Sequence, residues 1–255
     1  MAVLAALRPI RFDGERRQAV AITGPDGTAV AIDEAGRAGD GPVFAYGVVG
    51  RATAASLVAR GWSDLGRAPR LARPLRVGKV PLVLPRSRRP GVREITVSDP
   101  RITRLWDRFS IDVPVAIERN AAHVNPRIFP EDGAPRARVL VFEDGDRYVI
   151  RALCIFQRDG TVRELLHDRS LAGMRAASHL LGLALREMLA AGATRATALS
   201  LPHSGSYPLL ARHLFTAIAA TGDERVVVLP RDPDLADVVT SLGHWYLSGL
   251  DLGDD

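Results

Sequence analysis

Residues 161–215 carry the clearest pattern of the sequence: TVRELLHDRSLAGMRAASHLLGLALREMLAAGATRATALSLPHSGSYPLLARHLF. In the middle of this stretch, apolar side chains recur at steps of three and four residues, which is typical of a helix with one buried face. The positions of this apolar stripe are Ala177, Leu180, Leu181, Ala184, Leu185, Met188 and Leu189. Ser170 is suited to cap the amino end of the helix, and Gly192 to end it in a left-handed conformation.

Short apolar runs of strand length flank this predicted helix, with VRELLH before it and TRATALSL after it. Two strands joined by one long helix form a right-handed crossover between neighbouring parallel strands. The amino end of such a helix offers unpaired N–H groups and the positive end of the helix dipole. We therefore expect an anion-binding position near residues 172–175.

Length and composition indicate a globular protein. The 255 residues suffice for one large domain or two small ones. A hydrophobic fraction of 47% with mixed charges, and the lack of a long apolar run or a signal peptide, predict a soluble protein that does not cross a membrane. The scarcity of lysine beside abundant arginine, alanine and glycine is typical of a GC-rich bacterial genome.

A single cysteine, Cys154, limits the redox chemistry of the chain. One cysteine cannot form an intrachain disulfide, so we expect a reducing cytoplasm. Cys154 lies in the apolar run 150–156, which favours a thiol packed in the core, with a nucleophile as the alternative.

Positive charge is concentrated in one segment rich in proline and arginine. Residues 65–93 include nine basic side chains and no acidic one, whereas the whole chain has a net charge of +5, so the rest carries −4. Such a local excess does not favour a nucleic-acid-binding domain. We interpret residues 67–93 as a surface connector whose prolines confine any strand to a sheet edge, with a strip that binds RNA or phosphate as the alternative.

The remaining patterns predict further helices and strands. Helices are expected at 51–60 with Leu57 and Val58 inward, at 99–109, in a turn that ends before Pro126, and at 233–241. Strands are expected at 43–48, 136–143, 147–157, 225–229 and 244–250, and a hairpin around GPDG in residues 17–32.

The order of elements in residues 94–255 resembles the GNAT superfamily of acyl-CoA-dependent N-acyltransferases. VRELLHDRS…SHLLGLALREMLAAGATRATALSL and YPLLARHLF are similar to its central strand–helix–strand and next helix, and FAYGVVGRATAASLVARGWSDLG resembles the end of another GNAT module. The resemblance implies an α+β fold with a mixed, mainly antiparallel sheet and a central crossover. It also implies a tandem protein, with a shortened module at 1–75, a connector at 76–93 and a GNAT-like domain at 94–255.

The same resemblance implies an activity, namely transfer of an acyl group such as acetyl from acyl-CoA to an amine. In the family, the strand before the crossover helix pairs with the pantetheine arm, and the following loop and helix bind the pyrophosphate. The corresponding positions of this chain are Leu165, Leu166, His167, Gly173, Arg175, Ala176 and Ala177. The sequence does not identify the amine, which could belong to a small molecule or a protein, or the oligomeric state.

Amine acylation needs a base, an oxyanion donor and an acid for the leaving thiolate. Glu164 lies on the strand where the family often keeps a carboxylate base, His167 at its end could relay a proton, and Tyr207 could donate to the thiolate. Each also has a structural interpretation, as a surface carboxylate, a partly buried histidine and a residue that packs at a helix start. The histidines and the cysteine lack metal-ligand spacing, so we expect no metal.

The cofactor loop departs from the family pattern Arg/Gln-x-x-Gly-x-Gly/Ala. Residues 168–177 offer Gly173, Ala176 and Ala177 without that spacing, and Arg175 stands at a glycine position, where it would either crowd a phosphate or pair with it. The tyrosine acid of the family falls on Leu210. A catalytically inactive GNAT-fold module that binds a protein or a metabolite is therefore the alternative function.

Overall fold

The computed structural model of the chain describes residues 3–6, 10–12, 15–17, 20–23, 44–83, 87–97, 99–130, 134–145, 148–218, 224–231 and 233–252. The chain divides into two compact units, each made of several segments. The first unit comprises Met1–Pro69, Val113–Glu118 and Ala219–Asp255, and the second Arg70–Asp112 and Arg119–Ile218. The origin of residues 1–75 in a shortened GNAT-like module, with a connector at 76–93, stays a prediction.

The described residues form strands, α-helices and short 3₁₀ turns. The strands are β1 (Val3–Ala6), β2 (Ile10–Phe12), β3 (Glu15–Arg17), β4 (Val20–Thr23), β5 (Phe44–Val49), β6 (Ser63–Arg67), β7 (Arg70–Pro74), β8 (Arg76–Val77), β9 (Val80–Pro81), β10 (Val92–Ile95), β11 (Arg138–Asp144), β12 (Val149–Phe156), β13 (Thr161–His167), β14 (Arg195–Leu199), β15 (Thr216–Ala217) and β16 (Arg225–Pro230). The helices are α1 (Arg51–Val58), α2 (Arg101–Phe109), α3 (Ala121–Ile128), α4 (Leu171–Ala190), α5 (Tyr207–Arg212) and α6 (Ala236–Val239).

The first unit contains a five-stranded sheet in the order β1-β4-β5-β16-β6. An aromatic group packs on it, in which the Trp245 ring lies 5.5 Å from Phe44 and 5.0 Å from Tyr46 between centroids. Most of the hairpin predicted for residues 17–32 falls outside the described residues. In α1 the expected inward position of Leu57 is confirmed at 5% exposure, whereas Val58 is 43% exposed, so its inward placement is wrong.

The strand predicted for residues 244–250 is wrong. This segment forms the 3₁₀ turns Leu242–His244 and Gly249–Asp251, and its one strand-like contact is the isolated bridge between Val115 and Trp245. Side-chain hydrogen bonds favour the turn over a strand. The Asp251 carboxylate accepts from Ser248 N at 2.7 Å and from the Tyr46 hydroxyl at 3.1 Å.

The second unit contains a seven-stranded sheet in the order β10-β11-β12-β13-β14-β7-β15. Every neighbouring pair is antiparallel except β13 and β14, which are joined by α4 and run parallel. The predicted mixed, mainly antiparallel sheet with one central crossover is therefore confirmed.

Helix α4 begins and ends where the sequence predicts. The Ser170 side chain accepts a hydrogen bond from Gly173 N at 2.9 Å, and Gly192 after the helix has a φ of +97°. The apolar stripe packs against the sheet, with Leu180, Leu181 and Ala184 fully buried. Because burying one such leucine contributes about 1.5–3 kcal/mol, this face is a main source of stability for the second unit.

Two proline-containing segments differ from the expectation. Strand β7 lies inside the sheet, between β14 and β15, because Pro69 precedes the strand and Pro74 ends it, so the interior residues keep their N–H groups. Helix α3 continues through Pro126 to Ile128. There Asn120 caps the helix by accepting from His123 N at 2.9 Å, and Phe129 N still donates to Asn125 O at 2.7 Å.

Candidate functional site

The strands β13 and β14 pair over a short distance and then separate. Their parallel register is limited to Thr161 with Thr197 and Val162 with Ala198. We call the region between β13 residues 163–167 and residues 199–206 the wedge. A parallel pair that separates in this way leaves one edge of β13 without a strand partner, and such an edge can pair with an extended chain of amides.

The backbone of β13 alternates between its two sides. Asp168 N donates to Arg151 O at 2.7 Å, so the backbone groups of Asp168 point toward β12. In an antiparallel pair, every second residue points its N–H and C=O to the other side. Leu165 and His167 therefore turn these groups away from β12 and toward the wedge. The structure thus presents backbone groups of the predicted pantetheine-binding residues at the predicted edge. The side chains of Leu165 and Leu166 are buried at 2% and 0% exposure.

Glu164, the predicted base, is held in an internal ion pair. Its Oε2 accepts from Arg119 Nε at 2.8 Å, and both side chains have no exposed surface. Its Oε1 accepts from the Leu165 N–H at 2.9 Å, which is one of the groups on the wedge side of the strand. Glu164 is therefore not a surface carboxylate, and it engages the same backbone group that a ligand amide would use.

His167, the predicted proton relay, is buried at the carboxyl end of β13, with 3% exposure. Its Nδ1 lies 2.7 Å from Asp168 O and its Nε2 lies 3.3 Å from Gly205 O. Both neighbours are acceptors, and a neutral imidazole can donate to only one of these two carbonyl oxygens. The Phe109 ring fixes the imidazole by an edge contact, with 5.7 Å between centroids.

Tyr207, the predicted acid, is half-buried at the start of α5 and packs against the core of the second unit. Tyr207 N donates to Ser204 O at 3.0 Å. The Ser204 hydroxyl is buried and makes no hydrogen bond within the part of the chain that the structure describes. Leu210, at the position of the family tyrosine, is 2% exposed and packs in the same core.

The amino end of α4 holds a carboxylate from its own chain. Asp168 Oδ1 accepts from Ser170 N at 3.1 Å and from the Ser170 hydroxyl, and Oδ2 accepts from Arg151 Nη1 at 2.9 Å. A Cβ at Gly173 would collide with the Asp168 carboxylate and lie 2.6 Å from its carbonyl oxygen. Gly173 is therefore required here for close packing against Asp168.

The other predicted cofactor residues of α4 divide into two groups. Arg175 is exposed, and its guanidinium has no ion pair or hydrogen bond with the described residues. Ala176 and Ala177 are 4% and 0% exposed and belong to the core. The structure therefore gathers Glu164, Leu165, His167 and Gly173 around the wedge and the start of α4, whereas the two alanines serve packing.

Arg119 and Asp168 are site residues that the sequence patterns did not single out. Arg119 lies 45 positions before its partner Glu164, so no local spacing connects them. Asp168 stands between two predicted elements, and a carboxylate shortly before an N-cap serine is its only local signal.

Other features of the described residues limit the chemistry. Cys154 is fully buried, and burial raises the pKa of its thiol, as expected for a core residue rather than a nucleophile. No cluster of three or more His, Cys, Asp or Glu side chains among these residues could hold a metal ion. Over the same residues, no helix is long and apolar enough to cross a membrane.

Comparison with known proteins gives matches among solved structures. No protein-family model matches the chain, and no curated protein matches it significantly. A GCN5-related N-acetyltransferase from Kribbella flavida is similar with a TM-score of 0.55 at 16% identity, over 94% of this chain and 58% of that one. The N-myristoyltransferase of Saccharomyces cerevisiae, solved with myristoyl-CoA and inhibitors, is similar with a TM-score of 0.56 at 12% identity, over 89% and 62%.

A third structure, a probable N-acyltransferase of unknown function from Enterococcus faecalis, has a TM-score of 0.51 at 10% identity, over 89% of this chain and 57% of that one. The chain thus spans about six tenths of the length of each of these three structures. These similarities confirm that the chain has the GNAT fold. The tandem arrangement and the bacterial source stay predictions.

Proposed function

We propose that this protein is an acyltransferase that moves an acyl group from acyl-CoA to an amine. The observation that carries the proposal is the wedge, in which β13 leaves β14 after Val162 and turns the backbone of Leu165 and His167 away from β12, to the side where β14 no longer pairs. The fold is shared with a GCN5-related N-acetyltransferase and with an N-myristoyltransferase solved with myristoyl-CoA, which supports a thioester donor.

In this proposal the pantetheine arm of the donor runs along β13, where its amides pair with the backbone of Leu165 and His167. The exposed guanidinium of Arg175 lies in the first turns of α4, where it attracts the phosphates of the donor. The acceptor is an amine of a small molecule or a protein.

The reaction forms a C–N bond and breaks a C–S bond. The amine nitrogen attacks the thioester carbonyl, one proton leaves the nitrogen, and the departing thiolate takes one up. The His167 imidazole at the end of β13 takes the proton from the amine, and the Tyr207 hydroxyl at the start of α5 is a donor for the thiolate. Glu164 contributes as a base only after its bond to Arg119 opens, since both side chains are buried.

A catalytically inactive GNAT-fold binding module is the second candidate. Two observations favour it. Glu164 already satisfies the Leu165 N–H on the wedge side of β13, and the buried Leu210 stands where the family keeps its tyrosine acid. Under this alternative the wedge is a polar part of the core rather than a binding site.

Binding and turnover of acetyl-CoA separate the two candidates. We expect calorimetry to detect acetyl-CoA binding, and a thiol assay to detect CoA release when polyamines, amino acids or peptides with free amino termini are added. Tyr207→Phe should reduce turnover by about 10²-fold or more, as loss of a general acid does. Tyr148→Phe, at a tyrosine that is 76% exposed, is the matched control and should leave turnover unchanged. Absence of heat and of thermal shift with millimolar acetyl-CoA would establish the inactive module instead.

A further inference from the structure

The anion position at the start of α4 is filled by an internal anion. The Asp168 carboxylate accepts two hydrogen bonds from Ser170 and one from Arg151, and its side chain is 8% exposed. Gly173 lies so close that an added Cβ would collide with this carboxylate. Within the proposed donor site, the place that attracts a phosphate is therefore already negatively charged.

A second anion at this place is disfavoured for two reasons. Two negative charges within a few ångströms repel each other, and the repulsion is strong where water is largely excluded. Two of the neighbouring N–H groups are also in use, because Ser170 N donates to Asp168 and Gly173 N donates to the Ser170 hydroxyl. A pyrophosphate must displace the carboxylate or bind farther from it, beside the exposed guanidinium of Arg175, where water screens the attraction.

The β13 edge is chemically different. The groups that it turns toward the wedge are uncharged backbone amides, which suit the amides of a pantetheine arm once the arm replaces the bond between Leu165 N and the Glu164 carboxylate. We infer that Asp168 is a specificity-determining residue, which makes the site select donors by the pantetheine arm and gain little from the pyrophosphate. This inference rests on the proposed function, because it concerns how the same site chooses its donor.

Asp144 provides a matched control for Asp168. Its Oδ2 accepts from Arg151 Nη2 at 2.6 Å and from Nε at 3.1 Å, so it neutralises the same guanidinium. Asp144 ends β11, whereas Asp168 follows β13. Asp144→Asn therefore removes one carboxylate from Arg151 and changes neither Asp168 nor Ser170.

The test compares acetyl-CoA with acetyl-pantetheine, which has the same thioester arm without phosphates, by calorimetry on the full chain. We expect the wild-type protein to bind acetyl-CoA less than about tenfold more tightly than acetyl-pantetheine. Asp168→Asn should tighten acetyl-CoA binding by about tenfold or more and leave acetyl-pantetheine nearly unchanged. Asp144→Asn should bind both ligands as the wild type does.

Three results would overturn the inference. The first is a wild-type preference for acetyl-CoA above about tenfold, and the second is an Asp168→Asn protein that binds acetyl-CoA no better than the wild type. The third is failure of both ligands to bind any of the proteins, which would also end the proposed function. If the wild type binds acetyl-pantetheine, only the inference about Asp168 can fail, and the proposed function stands. If Asp168→Asn does not fold, the same binding measurements on Asp168→Ser, together with the ratio of the two affinities of the wild type, test the inference.

Discussion

The two ends of β13 show how one strand serves both the scaffold and the site. At its amino end, Thr161 and Val162 pair in parallel with β14 as in any crossover. At its carboxyl end the backbone has no strand partner in β14, and polar side chains take that role, with Glu164 bonded to Arg119 and His167 bonded to carbonyl oxygens.

The comparison distinguishes the apolar core, which stabilises the fold, from the polar groups of the wedge, which determine what the strand can bind. The apolar side chains of α4 and the sheet form one buried core. Polar groups of the wedge already form hydrogen bonds with other groups of the chain, so a ligand that enters the wedge must replace these bonds. Stability measurements can test each part separately.

The largest effect is expected at the buried ion pair. Arg119→Met removes the ion-pair partner of the buried Glu164 carboxylate and should lower the free energy of unfolding by about 3–5 kcal/mol. Adding Glu164→Gln removes the buried charge and should restore most of this loss. Urea unfolding of the two single variants and the double variant checks the prediction, which fails if the losses simply add.

A similar loss is expected from the scaffold alone. Leu181 is fully buried in the middle of the apolar stripe of α4, and Leu181→Ala should cost about 2–5 kcal/mol through lost contacts and a residual cavity. Leu171→Ala, at an exposed leucine of the same helix, is the control and should change the free energy of unfolding by less than about 0.5 kcal/mol. An unchanged urea midpoint for Leu181→Ala would show that this face is not the core.

Of the two features that these substitutions test, the sequence could predict the apolar stripe of α4 but not the buried ion pair. The crossover was predictable because the stripe of α4, the Ser170 cap and Gly192 are local patterns whose period identifies the element. The Arg119–Glu164 pair was not, since it depends on how α2, α3 and β13 come together in space. Its residues lie 45 positions apart, and each alone is typical of a surface charge.

Prolines and turn-forming side chains caused the errors within the fold. The composition of residues 67–93 suggested a surface connector. The position of the prolines affects strand formation more than their number, because Pro69 and Pro74 flank β7 rather than interrupt it. The segment 244–250 contains aromatic and apolar residues that strands favour, yet Asp251 bonds both Ser248 and Tyr46 and stabilises a turn. The pairing of β7 with β14 and the bond from Tyr46 to Asp251 join residues that are distant in sequence, and local patterns do not reveal them.

An intermediate effect that depends on pH is expected at His123, which lies in the first turn of α3. Burial, with Arg119 and Arg127 nearby, lowers the pKa of His123 to about 2, and Arg127 Nη1 lies 3.1 Å from its Nδ1. The ring stays neutral in the folded protein, whereas the unfolded chain binds a proton below a pH of about 6.5. Stability should therefore fall with decreasing pH in this range, and His123 alone contributes about 1.4 kcal/mol per pH unit.

His123→Gln tests this contribution, because an amide oxygen can accept from Arg127 but does not titrate. The difference in unfolding free energy between wild type and variant should be constant from pH 7 to pH 8 and should shift in favour of the variant between pH 6 and pH 4.5. The constant part measures the packing cost of the substitution. Parallel curves over the whole range would show that His123 is protonated in the folded state or exposed.

The smallest effect is expected at the cap of α4, where scaffold and site meet. The Ser170 hydroxyl accepts from Gly173 N at 2.9 Å and donates to the Asp168 carboxylate, so Ser170→Ala removes both bonds. Loss of such a cap costs about 1 kcal/mol, and Ser170→Thr should recover part of it because threonine retains the hydroxyl. Ser56→Ala, at an exposed serine inside α1, is the control and should be neutral or slightly stabilising.

Hydrogen exchange distinguishes the loss of the cap from a general loss of stability. In Ser170→Ala the amide of Gly173 should exchange faster, because its acceptor is gone. The amide of Met174 should keep its protection relative to the rest of α4, since it donates at 3.0 Å to the backbone oxygen of residue 170, which the substitution retains. Equal acceleration at both amides would mean that the first turn of α4 opens as a whole. The Asp168 carboxylate would then depend on the Ser170 hydroxyl for its place, and the start of α4 would be part of the adaptable site rather than of the rigid scaffold.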